Sequence, residues 1–97
     1  MTVVAHLDLR FQPDILEKAY QLLHEILIDT RAFDGCLSVD VLIDTADPAH
    51  VLVHELWASA EQDAAYRQWR AGEGATDLRT LLAEAPTLTT FTISSDR

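Results

Sequence analysis

From Val3 to Arg10 apolar and polar side chains alternate, with Val3, Ala5, Leu7 and Leu9 on one side and Val4, His6, Asp8 and Arg10 on the other. A period of two is that of a β-strand with unlike faces. The period then lengthens. Ile15, Ala19, Leu22, Leu23, Ile26 and Thr30 follow 3.6-residue spacing, Pro13 suits a first helical turn, and Asp14 and Glu17 sit where the helix dipole favours negative charge. Pro13 to about Ala32 is therefore predicted as a long amphipathic helix, stopped by the turn chemistry of Asp34-Gly35. Leu37, Val39, Val41 and Ile43 then alternate with Ser38, Asp40 and Asp44 as a second strand, and Asp47-Pro48 marks a turn within Thr45–Ala49.

The third strand, Val51–Trp57, is apolar on both faces: Val51, Val53 and Trp57 on one, Leu52 and Leu56 on the other. Such a strand belongs inside a sheet covered on both sides. Ser59 and Gln62 form a capping-box pattern that opens a helix at Ala60, and Gly72 and Gly74 end it. Thr76 caps a short third helix carrying Leu78, Leu81 and Leu82, closed by Pro86, and Leu88–Ser94 makes a fourth strand. The order βαββαβ, with a split second helix, predicts an α+β fold of ferredoxin-like type. In that arrangement a four-stranded antiparallel sheet carries helices on one face, and residues 1–97 form a single domain. Helices on one face leave the other apolar face of the third strand uncovered, which predicts a partner packed on it.

Length sharpens that expectation, because a chain of 97 residues folded alone buries only roughly 60–70% of its unfolded surface. A homodimer joined through the sheet face is the simplest remedy. Sixteen Asp and Glu against seven Lys and Arg give a net charge of −9, with the basic residues scattered singly. This excludes nucleic acid and anionic membrane as expected partners and favours an uncharged or cationic small molecule. No apolar run approaches the ~20 residues of a membrane span. Met1-Thr2-Val3 shows no basic segment ahead of an apolar one, so no secretory signal is expected. Cys36, the only cysteine, allows no internal disulfide and reads as small apolar packing rather than as a metal ligand. A cytoplasmic protein is expected.

Thr30-Arg31-Ala32-Phe33-Asp34-Gly35-Cys36, then a strand, the Asp47-Pro48 turn and His54-Glu55-Leu56-Trp57-Ala58-Ser59, resemble the antibiotic biosynthesis monooxygenase family. The resemblance spans essentially the whole chain. It implies a dimeric α+β barrel, two ferredoxin-like sheets packed face to face, with a small pocket between sheet and helices in each subunit. It also implies activities as different as cofactor-free oxygenation of quinols and aromatic polyketides, haem degradation and isomerisation. The strand-three Trp of the anthrone monooxygenases matches Trp57 and their late-helix Arg matches Arg79, whereas their pocket Asn falls on Val53 and their Tyr on Asp63. The Asn, helical Trp and late His of the haem-degrading relatives fall on Leu7, on Tyr66 and on nothing: the chain has no Asn, and no His after His54. Haem degradation through that triad is thus disfavoured, and no cofactor is expected.

Trp57, Glu55 and Val53 share one strand face. Trp57 is either core or the floor of an aromatic pocket, and Glu55, a carboxylate on an apolar face, is either a structural acceptor or an acid/base group. Tyr66 and Trp69, three apart on a helix, point roughly the same way, and with Arg70 and Arg79 nearby they could sandwich a planar ligand or serve as ordinary packing. His54 shares its face with Leu52 and Leu56, and His6 lies on a neighbouring strand. Their spacing matches no metal motif, so a hydrogen-bonded histidine at a sheet-to-sheet interface is the expectation and no metal site is assigned. His24 and His50 carry no expected role. The candidate catalytic residues are accordingly Arg79 as anion stabiliser and Glu55 or His54 as proton acceptor. Trp57, Tyr66, Trp69 and Val53 are the candidate substrate-binding walls. The substrate expected is a quinol, an anthrone or a polyketide-like aromatic, with a non-catalytic ligand-binding or structural homodimer as the alternative.

Overall fold

The computed structural model describes residues 1–94. Strands β1 (Val3–Arg10), β2 (Cys36–Asp44), β3 (Asp47–Trp57) and β4 (Thr87–Thr92) form one antiparallel sheet in the order β2-β3-β1-β4. Helices α1 (Leu16–Ala32) and α2 (Ala60–Ala71) connect β1 to β2 and β3 to β4, the ferredoxin-like order expected from the periodicities. Single 3-10 turns at Pro13–Ile15 and Leu78–Leu81 precede α1 and follow α2, so the predicted third helix shrinks to one turn, where the Leu78 N–H donates to the Thr76 hydroxyl. α2 starts as expected, its Gln62 N–H donating to Ser59 Oγ.

Two boundaries and one register differ from the sequence reading. β3 begins at Asp47, because the turn needs only Thr45 and Ala46, with the Asp44 carboxylate accepting from the Ala46 N–H. Pro48 is tolerated there because β1 begins to pair with this strand only at His50. A bulge between Cys36 and Ser38 removes Leu37 from the alternation and leaves it exposed. β4 ends at Thr92 rather than Ser94. Gly35, at φ +92°, makes the turn into β2, a backbone conformation an L side chain rarely adopts.

The helices cover one face. Leu9, Val51 and Val53 from the sheet meet Ala19, Leu23 and Leu27 of α1 in the main core, with Phe11, Leu81 and Leu82 closing one end. Val3, Ala5, Trp57 and Tyr66 form a second cluster at the other end.

The uncovered face carries Val4, His6 and Asp8 of β1, His50, Leu52, His54 and Leu56 of β3, Asp40, Leu42 and Asp44 of β2 and Phe91 of β4. His6 and His54, paired across the strands, share a hydrogen bond of 2.9 Å, and Phe91 meets His6 edge-on. His50, unassigned in the sequence, is a cross-strand junction: its Nδ1 lies 2.8 Å from Asp44 and its Nε2 3.0 Å from Asp8. The hydrogen bond to Asp44, then that to Asp8, raises the His50 pKa above its ordinary 6.5, and the bond to His50 lowers Asp44 below its ordinary 3.8. A raised histidine contributes stability that is complete below 6.5 and lost as pH climbs through the folded value; a lowered carboxylate contributes above 3.8 and loses it on acidification. The junction thus acts between these limits. Urea midpoints of the parent should exceed those of His50→Gln most near pH 5–6 and converge with them towards pH 9; a gap that widens with rising pH would contradict the assignment.

Candidate functional site

Glu55 and Trp57 alternate with Val53 along β3, so all three point under the helices. Glu55 is 1% exposed and Trp57 fully buried. A buried carboxylate needs partners, and Glu55 has two: its Oε1 accepts from the Trp57 indole N–H at 2.9 Å and from Arg67 Nη2 at 2.5 Å. Arg67 also donates from Nε to Asp63, one helical turn earlier on α2, at 3.1 Å. One guanidinium therefore holds two carboxylates. Of the two readings of Glu55, these contacts favour the structural one: its Oε1 is committed to two donors and the residue is almost wholly buried. The half-buried Cys36 lies close by, where desolvation first and the Glu55 charge second push its thiol pKa up, which fits packing rather than nucleophilic chemistry.

Above Trp57 the space is filled. The Tyr66 ring lies 4.9 Å from Trp57 by centroids, and Phe33 stands edge-on to both at 6.1 and 5.2 Å. Trp69 packs against Phe33 and over Gly74, where any Cβ would meet the indole at 2.4 Å. Arg70 ties this cluster to α1: it donates to Tyr66 Oη at 2.8 Å, the Ile26 carbonyl at 2.8 Å, Thr30 Oγ1 at 3.1 Å and the Gly74 carbonyl at 3.0 Å, while its plane lies over Trp69. Every one of these acceptors is neutral. Unlike that of Arg67, the charge of Arg70 has no carboxylate against it among the described residues.

Beyond Tyr66, towards β1 and β4, a cavity of about 580 Å³ opens between sheet and helices. Leu7, Leu9 and Leu88 form its sheet wall, Ile26 its α1 wall, Leu78, Leu82 and Pro86 its far side, and Tyr66, Arg67, Arg70 and Arg79 its polar groups. The volume lies within the range of small-molecule sites. Arg79, exposed on the 3-10 turn, makes no side-chain hydrogen bond or ion pair among the described residues, where the ion pairs belong to Arg10, His50 and Arg67.

The structure thus brings Arg79 and Tyr66 together and separates them from the other candidates. His54 points to the opposite face of the sheet and cannot take a proton from anything in the cavity. Trp57 and Val53 are fully buried and neither lines the cavity, since Tyr66 and the α1 side chains cover them. Trp69 is wedged between Phe33 and Gly74, outside the cavity wall. The sequence reading missed Arg67, although its i,i+4 spacing from Asp63 was a usable signal, and missed that Leu7 lines the cavity. Among the described residues no group of three or more His, Cys, Asp or Glu is placed to hold a metal ion, and no helix is long and apolar enough to cross a membrane.

Solved structures of the same fold are numerous. A candidate antibiotic biosynthesis monooxygenase from Deinococcus radiodurans is 24% identical with a TM-score of 0.83, over 96% of this chain and 93% of that one. A Mycobacterium tuberculosis protein is 20% identical with a TM-score of 0.79, over 98% and 97%. A further candidate monooxygenase, from Nitrosomonas europaea, is 17% identical with a TM-score of 0.77, over 93% and 88%. At such identities these likenesses establish the fold alone. No curated protein shows significant sequence similarity to the chain. The sequence model of the antibiotic biosynthesis monooxygenases, however, matches residues 2–80, covering β1 through most of the second 3-10 turn and including Arg79. The chain belongs to the antibiotic biosynthesis monooxygenase family.

Proposed function

We propose that the protein is a cofactor-independent monooxygenase of a small aromatic substrate, a quinol, an anthrone or a polyketide-like phenol, bound in the cavity beside Tyr66. The observation that carries this reading is an apolar cavity, in a chain of this family, whose charged wall residues are all guanidinium groups. Leu7, Leu9, Leu82 and Leu88 keep water off the substrate ring. Arg70 supplies a fixed positive field, and Arg79, with its donors available, touches the substrate oxyanion and favours the ionised, electron-rich form. Dioxygen, small and apolar, reacts with that anion directly. For an anthrone methylene the balance closes without another reductant: the carbon loses both hydrogens and becomes a carbonyl, one oxygen atom stays on it, and the other leaves as water.

Oxygen uptake over a panel of anthrones and naphthoquinols tests this. Turnover above the buffer rate is expected, with kcat/KM falling about ten- to hundredfold in Arg79→Gln. No uptake above autoxidation on any compound would overturn the reading. A second reading, a non-catalytic ligand-binding protein, is favoured by one observation: among the described residues no carboxylate or imidazole lines the cavity to act as a base. It predicts ligand-induced thermal stabilisation without oxygen uptake.

We propose further that a second copy of the chain covers the open sheet face, which presents Leu42 and Phe91, each 47% exposed, beside Val4, Leu52 and Leu56. Such a patch on a small domain is the usual mark of an interface.

A further inference from the structure

The sign of the cavity is opposite to the sign of the chain. The net charge of −9 favours a neutral or cationic ligand, yet three of the seven basic residues line this one cavity and, among the described residues, no acidic one does. The three are not equivalent. Arg67 is matched by Glu55 and Asp63, so its charge is already compensated. Arg70 spends its donors on neutral acceptors, and its charge is left over. Arg79 has both charge and donors unspent among the described residues, at a wall that also carries Leu78, Leu82, Pro86 and the hydroxyl of Thr76. Asp77 and Glu25 line a separate depression with Lys18, and Glu55 and Asp63 reach the cavity only through Arg67, whose charge they compensate.

We infer that the cavity selects anions, and that its occupant is a small aromatic carboxylate whose ring lies on the leucine wall and whose acid group is held by Arg79. This rests on the reading of the cavity as the substrate site and names the substrate class within it. A carboxylate, rather than a phenolate alone, follows from the wall itself. A phenol is neutral at pH 7 and presents an anion only by losing a proton, which no carboxylate or imidazole among the described lining residues stands to take; a carboxylic acid arrives ionised. Guanidinium and carboxylate also match as planar forks, so one arginine can hold the acid through paired N–H donors. The neighbouring charge of Arg70, its donors turned to neutral acceptors, adds to the field.

Isothermal calorimetry at pH 7 with naphthoate, naphthamide and naphthol, three probes of nearly one shape, tests the inference. Naphthoate is expected to bind about tenfold or more tightly than either neutral analogue, as a charge-assisted pair is stronger than a neutral one. Arg79→Gln should bring naphthoate down to the amide, and Arg79→Lys should retain part of the preference, because the charge survives without the fork. Equal binding of acid and amide, tighter binding of naphthol, a preference that survives Arg79→Gln, or no binding of any probe would each overturn it. The oxygen-uptake panel is independent of this result: acid preference without turnover would sink the oxygenase reading alone, and turnover of neutral quinols without acid preference would sink this inference alone.

Discussion

Replacing Arg67 by alanine should destabilise the fold by about 3–5 kcal/mol, the cost usual for removing one partner of a buried ion pair. The reason is not the lost contact but what it leaves behind. Glu55, 1% exposed, keeps only the indole N–H of Trp57, and Asp63, 8% exposed, loses its nearest cation. Two carboxylates then share an apolar end of the core without a counter-charge. A chain of 97 residues has about 5–15 kcal/mol in total, so the variant is expected near the edge of folding. Glu55→Gln alone should cost less, because an amide can still accept from Trp57 and carries no charge. The double variant Arg67→Ala with Glu55→Gln should recover part of the Arg67→Ala loss, giving a coupling of about 1–3 kcal/mol in urea melts. Additive costs would show that Arg67 acts through Asp63 or through the packing of its own chain, and a cost of Arg67→Ala below about 1 kcal/mol would refute the buried-pair account.

This ion pair also marks where the sequence stops being legible. The strands, both helices and the capping box at Ser59 follow from period and cap chemistry, which are local, and local signals survive in a single sequence. The dual apolarity of β3 placed it inside the sheet, and the structure flanks it with β2 and β1. The site depended on longer-range facts. Nothing along the chain says that Tyr66 lies over Trp57 and displaces the cavity towards Arg79, because that depends on how α2 sits against the sheet. Strand parity alone would have set His54 on the face opposite Glu55, a signal present in the sequence but not applied to the choice of proton acceptor. His50 was invisible for another reason: its partners Asp8 and Asp44 come from two other strands and meet only through the register. The net charge was legible too, but it averages over a surface whose basic residues are unevenly placed, three of the seven lining one cavity.

Leu52→Asp should convert a dimer into a folded monomer, raising the dissociation constant by three orders of magnitude or more. Leu52 stands at the middle of the open face, paired with Asp8 on β1 and Leu42 on β2. β1 runs for 8 residues, so four strands spaced about 4.8 Å apart present roughly 500 Å² in projection, and more as accessible surface. That is the scale of one side of a standard interface, about 800 Å² per partner. In a two-fold pair the same patch meets itself, so each substitution is counted twice: two carboxylates would be desolvated beside two copies of Asp8. Each should cost several kcal/mol. In the monomer the same residue faces water, so circular dichroism should stay native, which separates dissociation from unfolding. Phe91→Ser, on the edge strand and 47% exposed, is the milder companion, expected to weaken the dimer about ten- to hundredfold. Sedimentation of the parent as a monomer at tens of micromolar would refute the proposed interface, and with it the argument that a third strand apolar on two faces, in a chain with helices for one, calls for a second copy.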